Sequence, residues 1–96
     1  MATITKKELA ESISEKLGNP QIITKKIIQL FLDQCIEELV KGNRLEFRDF
    51  GILNIVERDS RVGRNPKTGA TVNVPPKKVV RFKSGRVLKE KVQKMI

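Results

Sequence analysis

The stretch between residues 20 and 41 most constrains what this chain can become. Asn19-Pro20 opens it, an N-cap followed by a proline whose missing amide costs nothing at the first helical position. Gly42 stands just past its end, so one helix running to about Lys41 is expected. At 100° per residue, Ile27, Ile28, Leu30, Phe31, Leu32 and Cys35 cover an arc of about 200°. A surface helix of a small domain needs an apolar stripe of only about 100°. This helix must therefore be covered on two sides. Ninety-six residues allow one domain with a modest core, and only one short helix precedes this one. A second copy of the chain is the natural cover. The alternative is a monomer whose sheet covers the second side.

The elements around it read in order. Thr5-Lys6-Lys7-Glu8 is a capping box, and Leu9, Ala10, Ile13 and Leu17 then form one stripe at helical spacing, with Gly18 ending the helix. After Gly42 the period changes to two: Leu45 and Phe47 alternate with Arg44, Glu46 and Arg48. Asp49-Phe50-Gly51 makes a tight turn into a second strand through Leu53 and Ile55. Pro75-Pro76 cannot donate to a ladder and mark an edge or a break. A third strand from Lys77 to Lys83 puts Val80 and Phe82 on one face and Arg81 and Lys83 on the other. Ser84 is the expected cap of a last helix striped by Leu88, Val92 and Met95. The predicted order is α-α-β-β-(arm)-β-α, an α+β unit. It divides into a helical part at 1–42, a sheet at 43–83 and a C-terminal helix at 84–96.

The arm, at about 57–75, carries the least core and the most turn chemistry. Gly63 and Gly69 bracket Arg64-Asn65-Pro66-Lys67-Thr68. Asn65-Pro66 initiates a turn, because proline fixes φ and asparagine can bond its own backbone. The flanks are rich in β-formers but bury little, and a two-stranded hairpin without a packing partner is marginal in water. A basic hairpin that reaches out and ends in a rigid apolar ring suits a grip on something outside the protein.

Charge narrows what that something is. The net charge is +9. Residues 49–96 contain twelve Lys+Arg against four Asp+Glu, while residues 1–48 are nearly balanced, so the excess lies around the arm. Such a balance favours a polyanion, nucleic acid before an anionic membrane. Arg58, Arg61 and Arg64 recur every three residues, which suits a twisted ribbon using both faces in a narrow minor groove. The absence of Trp and Tyr fits single strands poorly. With one Cys and no His, metal-type spacing is impossible, and no catalytic set or phosphate-cradling glycine loop is found, so neither an enzyme, a metal nor a cofactor is expected. Cys35 has no intrachain partner, and no signal peptide or spanning segment is read, so a soluble, reducing, intracellular location is expected.

The motif Gly63-Arg64-Asn65-Pro66-Lys67-Thr68-Gly69, preceded by Phe50-Gly51 and followed by Phe82-Lys83-Ser84-Gly85-Arg86-Val87-Leu88-Lys89, resembles the bacterial HU/integration host factor family of histone-like DNA-binding proteins. The resemblance implies an intertwined dimer whose sheets form a saddle and whose arms wrap double-stranded DNA through its minor groove. It implies that Pro66 intercalates as a wedge, with Arg58, Arg61, Arg64, Asn65 and Lys67 on groove and phosphates. Lys78, Arg81 and Lys83 are implied as saddle contacts, and Lys6, Arg86 and Lys89 as flank contacts to phosphates. Arg48 stands where integration-host-factor-like chains can carry a minor-groove arginine, and Asp49 where many members have glycine. The implied dimer interface adds Phe47, Phe50 and Phe82 to the apolar residues of helix two. The implied role is architectural, bending or compacting DNA on the bacterial nucleoid, as a homodimer or with a paralogue. A structured-RNA binder and a site-preferring subunit of a heterodimer are the alternatives. No membrane or small-molecule partner is expected.

Overall fold

Thr5 begins the first helix as its residue type dictates. Its backbone is extended (φ −94°, ψ 168°) and its hydroxyl accepts the Glu8 amide at 3.4 Å, ahead of α1, Lys6–Leu17. The structure is a computed structural model that describes residues 1–59 and 61–95. Gly18 closes α1 with φ 71°, and the Asn19 amide reaches back to the Ser14 carbonyl at 3.1 Å. The second helix, α2, is Gln21–Val40. Here the expected cap is displaced by one residue. Pro20, not Asn19, stands at the boundary, its carbonyl accepting the Ile23 and Thr24 amides at 3.1 and 3.2 Å. A proline lacks only the amide, and its carbonyl serves as the first acceptor as well as any other.

The chain divides into two compact units, Met1–Glu37 and Glu38–Ile96. In the first, the buried residues are all small: Ala10 and Ser14 on α1 and Thr24 on α2. The Thr24 hydroxyl is satisfied by donating to the Pro20 carbonyl at 3.4 Å. The large apolar residues are left out. Leu30 is 61% and Phe31 51% exposed, and Leu9, Ile13 and Ile27 are exposed too. Ile28 and Cys35 are half-buried. The broad apolar arc of α2 exists as expected, and this chain does not cover it.

In the second unit α2, whose last residue is Val40, is closed off two residues later by Gly42, whose φ of 87° lets its amide reach the Leu39 carbonyl (2.9 Å) and the Asn43 amide the Glu38 carbonyl (3.0 Å). Strands β1 (Leu45–Phe47), β2 (Gly51–Arg58) and β5 (Lys77–Ser84) form one antiparallel sheet in the order β1-β2-β5. The register sets Leu45 against Leu53, Leu53 against Phe82 and Ile55 against Val80, so one face is apolar. Phe50 packs edge-on against Phe82, ring centroids 5.7 Å apart, and against Phe47 at 6.5 Å. Among the described residues, strands β3 (Arg61–Arg64) and β4 (Thr71–Val74) pair only with each other, as a separate two-stranded sheet. Helix α3, Arg86–Gln93, follows β5.

Its cap differs from expectation. Ser84 is not the cap: it is the last residue of β5, paired with Gly51, and Gly85 takes the N-cap with no side-chain bond. The reason is space. A Cβ on Gly85 would lie 2.7 Å from the Asp49 carbonyl carbon and 2.9 Å from its oxygen. The backbone does the capping from across the sheet: the Gly85 amide donates to the Phe50 carbonyl (2.8 Å) and the Leu88 amide to that of Asp49 (3.2 Å).

Candidate nucleic-acid interface

The tip of the hairpin is built by its own six residues. The Asn65 amide donates to the Ala70 carbonyl and the Gly69 amide to the Asn65 carbonyl, both at 2.8 Å. Inside that ring the Asn65 side-chain oxygen accepts the Lys67 amide at 2.9 Å, and the Thr68 hydroxyl accepts the Ala70 amide at 3.2 Å. These are Asx and Ser/Thr turns, the local bonds these side chains favour. Pro66 sits within the Asx turn, which needs no amide from it, and is exposed at the outermost bend between Asn65 and Lys67. A rigid apolar ring is thus presented to solvent on a stiffened loop.

The strands behind the tip present cations and no core. Val62 is 68% exposed and Val72 is exposed too. Gly63 pairs with Val72, and the exposed Arg64 pairs with Thr71. Arg61 opens β3 across from Val74, and its side chain lies outside the described residues. The ladder carries Glu57 and Arg58 into the three-stranded sheet, opposite Lys78 and Lys77. Arg58 is therefore a sheet residue, and the separate hairpin spans Arg61–Val74.

On the sheet the expected cations separate. Arg81 and Lys83 share the face opposite Val80 and Phe82. Lys78 does not join them: it lies on the apolar face, across from Glu57. Lys77 does, across from Arg58, a directly opposed like-charge pair that destabilises a sheet unless an anion comes between. The odd-numbered parity of Lys77 with Arg81 and Lys83 already places the three on one face of the strand.

The remaining residues are scattered over the two units. Arg48 is exposed in the turn that closes when the Phe50 amide meets the Phe47 carbonyl at 3.0 Å. Arg86, at the start of α3, pairs with Glu90 at 3.3 Å, and Lys89 is exposed one turn on. In the first unit the Lys6 ammonium donates to the Gln29 side-chain oxygen. Lys6 lines a cavity of about 510 Å³ with Lys7, Lys25 and Lys26 over Ala10 and Ile28. The charge balance of residues 1–48 hides this local cluster of lysines. Among the described residues no three of His, Cys, Asp and Glu stand together as a metal site, and no helix is long and apolar enough to cross a membrane.

What this arrangement can do chemically is hold an extended anion, with cations on a hairpin and a sheet face and one exposed proline ring at a tip. Comparison with known proteins points the same way. The family model described as "Bacterial DNA-binding protein" matches residues 4–93. A probable DNA-binding protein HU from Chlamydia pneumoniae is 45% identical over 94 residues, covering 97% of this chain and 94% of that protein. The integration host factor subunit alpha of Actinobacillus pleuropneumoniae serotype 5b is 41% identical over 90 residues, covering 94% and 92%. Among solved structures, an Anabaena HU–DNA cocrystal structure superposes with a TM-score of 0.86 at 30% identity, covering 95% of this chain and 99% of that one.

Proposed function

The chain belongs to the HU and integration host factor family of bacterial DNA-binding proteins, and from that premise we propose that it grips duplex DNA as a dimer and bends it. The family is architectural and is not a family of enzymes. The observation that carries the bending is the tip, where Pro66 projects from a loop stiffened by Asn65 and Thr68, on a hairpin paired with nothing else. In minor-groove binders of this kind an apolar wedge opens a base step at a cost of a few kcal/mol, recovered as the bent duplex meets more protein. Arg64, Lys67 and Arg61 take the groove and nearest phosphates. Arg58, Lys77, Arg81 and Lys83 take the phosphates over the sheet, with Arg48, Arg86, Lys89 and Lys6 beyond them. On this reading the protein acts on the bacterial nucleoid.

Support for the dimer comes from surface area. A folded monomer of 10.9 kDa exposes about 5,600 Å², whereas this chain exposes 8673 Å². The exposed apolar residues of α1, α2 and the sheet face, Phe50 and Phe82 included, are the surface a second copy would cover. Since relatives include both HU proteins and integration host factor subunits, a heterodimer is the second reading of the partner.

Purified chain alone should shorten the end-to-end distance of a fluorescently end-labelled duplex, and unlabelled DNA duplex should compete far better than RNA duplex. A-form RNA offers a wide, shallow minor groove that does not hold the ribbon. Equal competition by RNA would favour a structured-RNA binder, and binding only after a paralogue is added would favour the heterodimer.

A further inference from the structure

We propose that Asp49 limits how tightly this protein holds DNA, an inference that rests on the DNA-binding reading above. Asp49 is the one non-glycine residue with positive φ (67°) among those described. Glycine holds such a backbone freely, while a side chain is strained there, though Asp and Asn tolerate it better than most. The carboxylate is thus kept at a position where losing the side chain would ease the fold. Nothing in the fold uses it. Asp49 is exposed, and among the described residues its side chain makes no ion pair or hydrogen bond. The structural work of Asp49 is done by its backbone, whose carbonyl accepts the Leu88 amide.

Its surroundings are those of the proposed grip. Arg48 precedes it in the turn. The Asp49 carbonyl carbon would lie 2.7 Å from a Cβ on Gly85, so its backbone touches the residue between Ser84 and Arg86. Lys83, the last cation of the sheet face, stands two residues before Gly85 and opposite Ile52. Along the backbone, three residues proposed to meet phosphates, Arg48, Lys83 and Arg86, therefore flank this corner, Arg86 already paired with Glu90, together with the N-terminus of α3, whose first turn contains no acid. A phosphate drawn there meets a free negative charge. At a separation of about 7 Å in water the repulsion lowers affinity roughly threefold, and two copies in a dimer multiply to about tenfold. The range is comparable to the Debye length at physiological salt, about 8 Å, so the effect is strongest in dilute buffer. The result is a complex that can let go, made from a surface otherwise built to hold.

Two variants of the full chain test this beside the wild type, with duplex binding measured at about 50 and 200 mM salt. Asp49→Asn keeps the tolerance for positive φ and removes the charge. It should bind about three- to tenfold tighter at the lower salt, with the gain shrinking at the higher, and with the melting temperature unchanged. Asp49→Gly should show the same gain and a raised melting temperature. If Asp49→Asn binds no tighter than wild type, or if its gain does not diminish with salt, the proposal is overturned. So it is by a higher melting temperature in Asp49→Gly without tighter binding, which would leave Asp49 a turn residue only. A wild-type chain that fails to bind duplex at either salt has a separate signature: it overturns the DNA-binding reading, and this inference falls with it.

Discussion

Asn65 and Pro66 divide the labour at the tip. Asn65 fixes the backbone by accepting the Lys67 amide, and Pro66 supplies the ring. Pro66→Ala removes most of the proposed wedge and keeps every charge. We expect the affinity for an intact linear duplex to fall about tenfold or more, since the opened step costs a few kcal/mol, and the bend measured by energy transfer to shrink. DNA already kinked by a nick should be bound nearly as well as by wild type. An unchanged bend would make Pro66 an ordinary turn residue. Asn65→Ala should mimic part of this loss while changing global stability by no more than about 0.5 kcal/mol, because the half-buried Asn65 bonds only within its own turn and lies outside any core. Gly85→Ala should do the opposite. The added methyl meets the Asp49 backbone, so unfolding in denaturant should show a loss of about 1–3 kcal/mol.

At the level of elements, the hairpin stands apart from the rest. β3 and β4 share four residue pairs, carry exposed valines and have no third strand. Their amides should exchange much faster than those of β2 and β5 in the free protein and slow on adding DNA. Equal protection in the free state would contradict this. Much of this organisation was legible in the chain itself. Thr5, Gly18 and Gly42 announce helix ends because capping is local chemistry, and the alternation from Leu45 to Ile55 announces strands because burial on one face has period two. The unread parts depend on distant residues. Gly85 replaces Ser84 as the cap because the Asp49 backbone approaches from across the sheet. The register adds what each lysine meets, Glu57 across from Lys78 and Arg58 across from Lys77, whereas the parity that puts Lys77 with Arg81 and Lys83 is already present in the strand. The approach of Asp49 to Gly85 and these cross-strand partners are not visible without the pairing.

The whole molecule is where apolar exposure becomes informative. Phe31 is half exposed in the single chain, so within a monomer its truncation would cost little. Covered by a second copy, Phe31→Ala should cost about 3–5 kcal/mol. The melting temperature of the wild type should rise with protein concentration, and a concentration-independent melt at monomeric mass would refute the dimer. If about 6–10 phosphates are neutralised, duplex affinity should fall about 10³–10⁵-fold between about 50 and 200 mM salt. The uncovered face of α2 has one more consequence, for how much of this protein a cell can keep. A chain whose large apolar residues find no burial of their own is expected to be only marginally stable when alone, and unfolded chains are what proteases and chaperones remove. On the proposed dimer, copies that find a mate should outlast unmated ones, so the pairing surface would also meter supply. Where the mate is a paralogue, the scarcer of the two would set the stock of both.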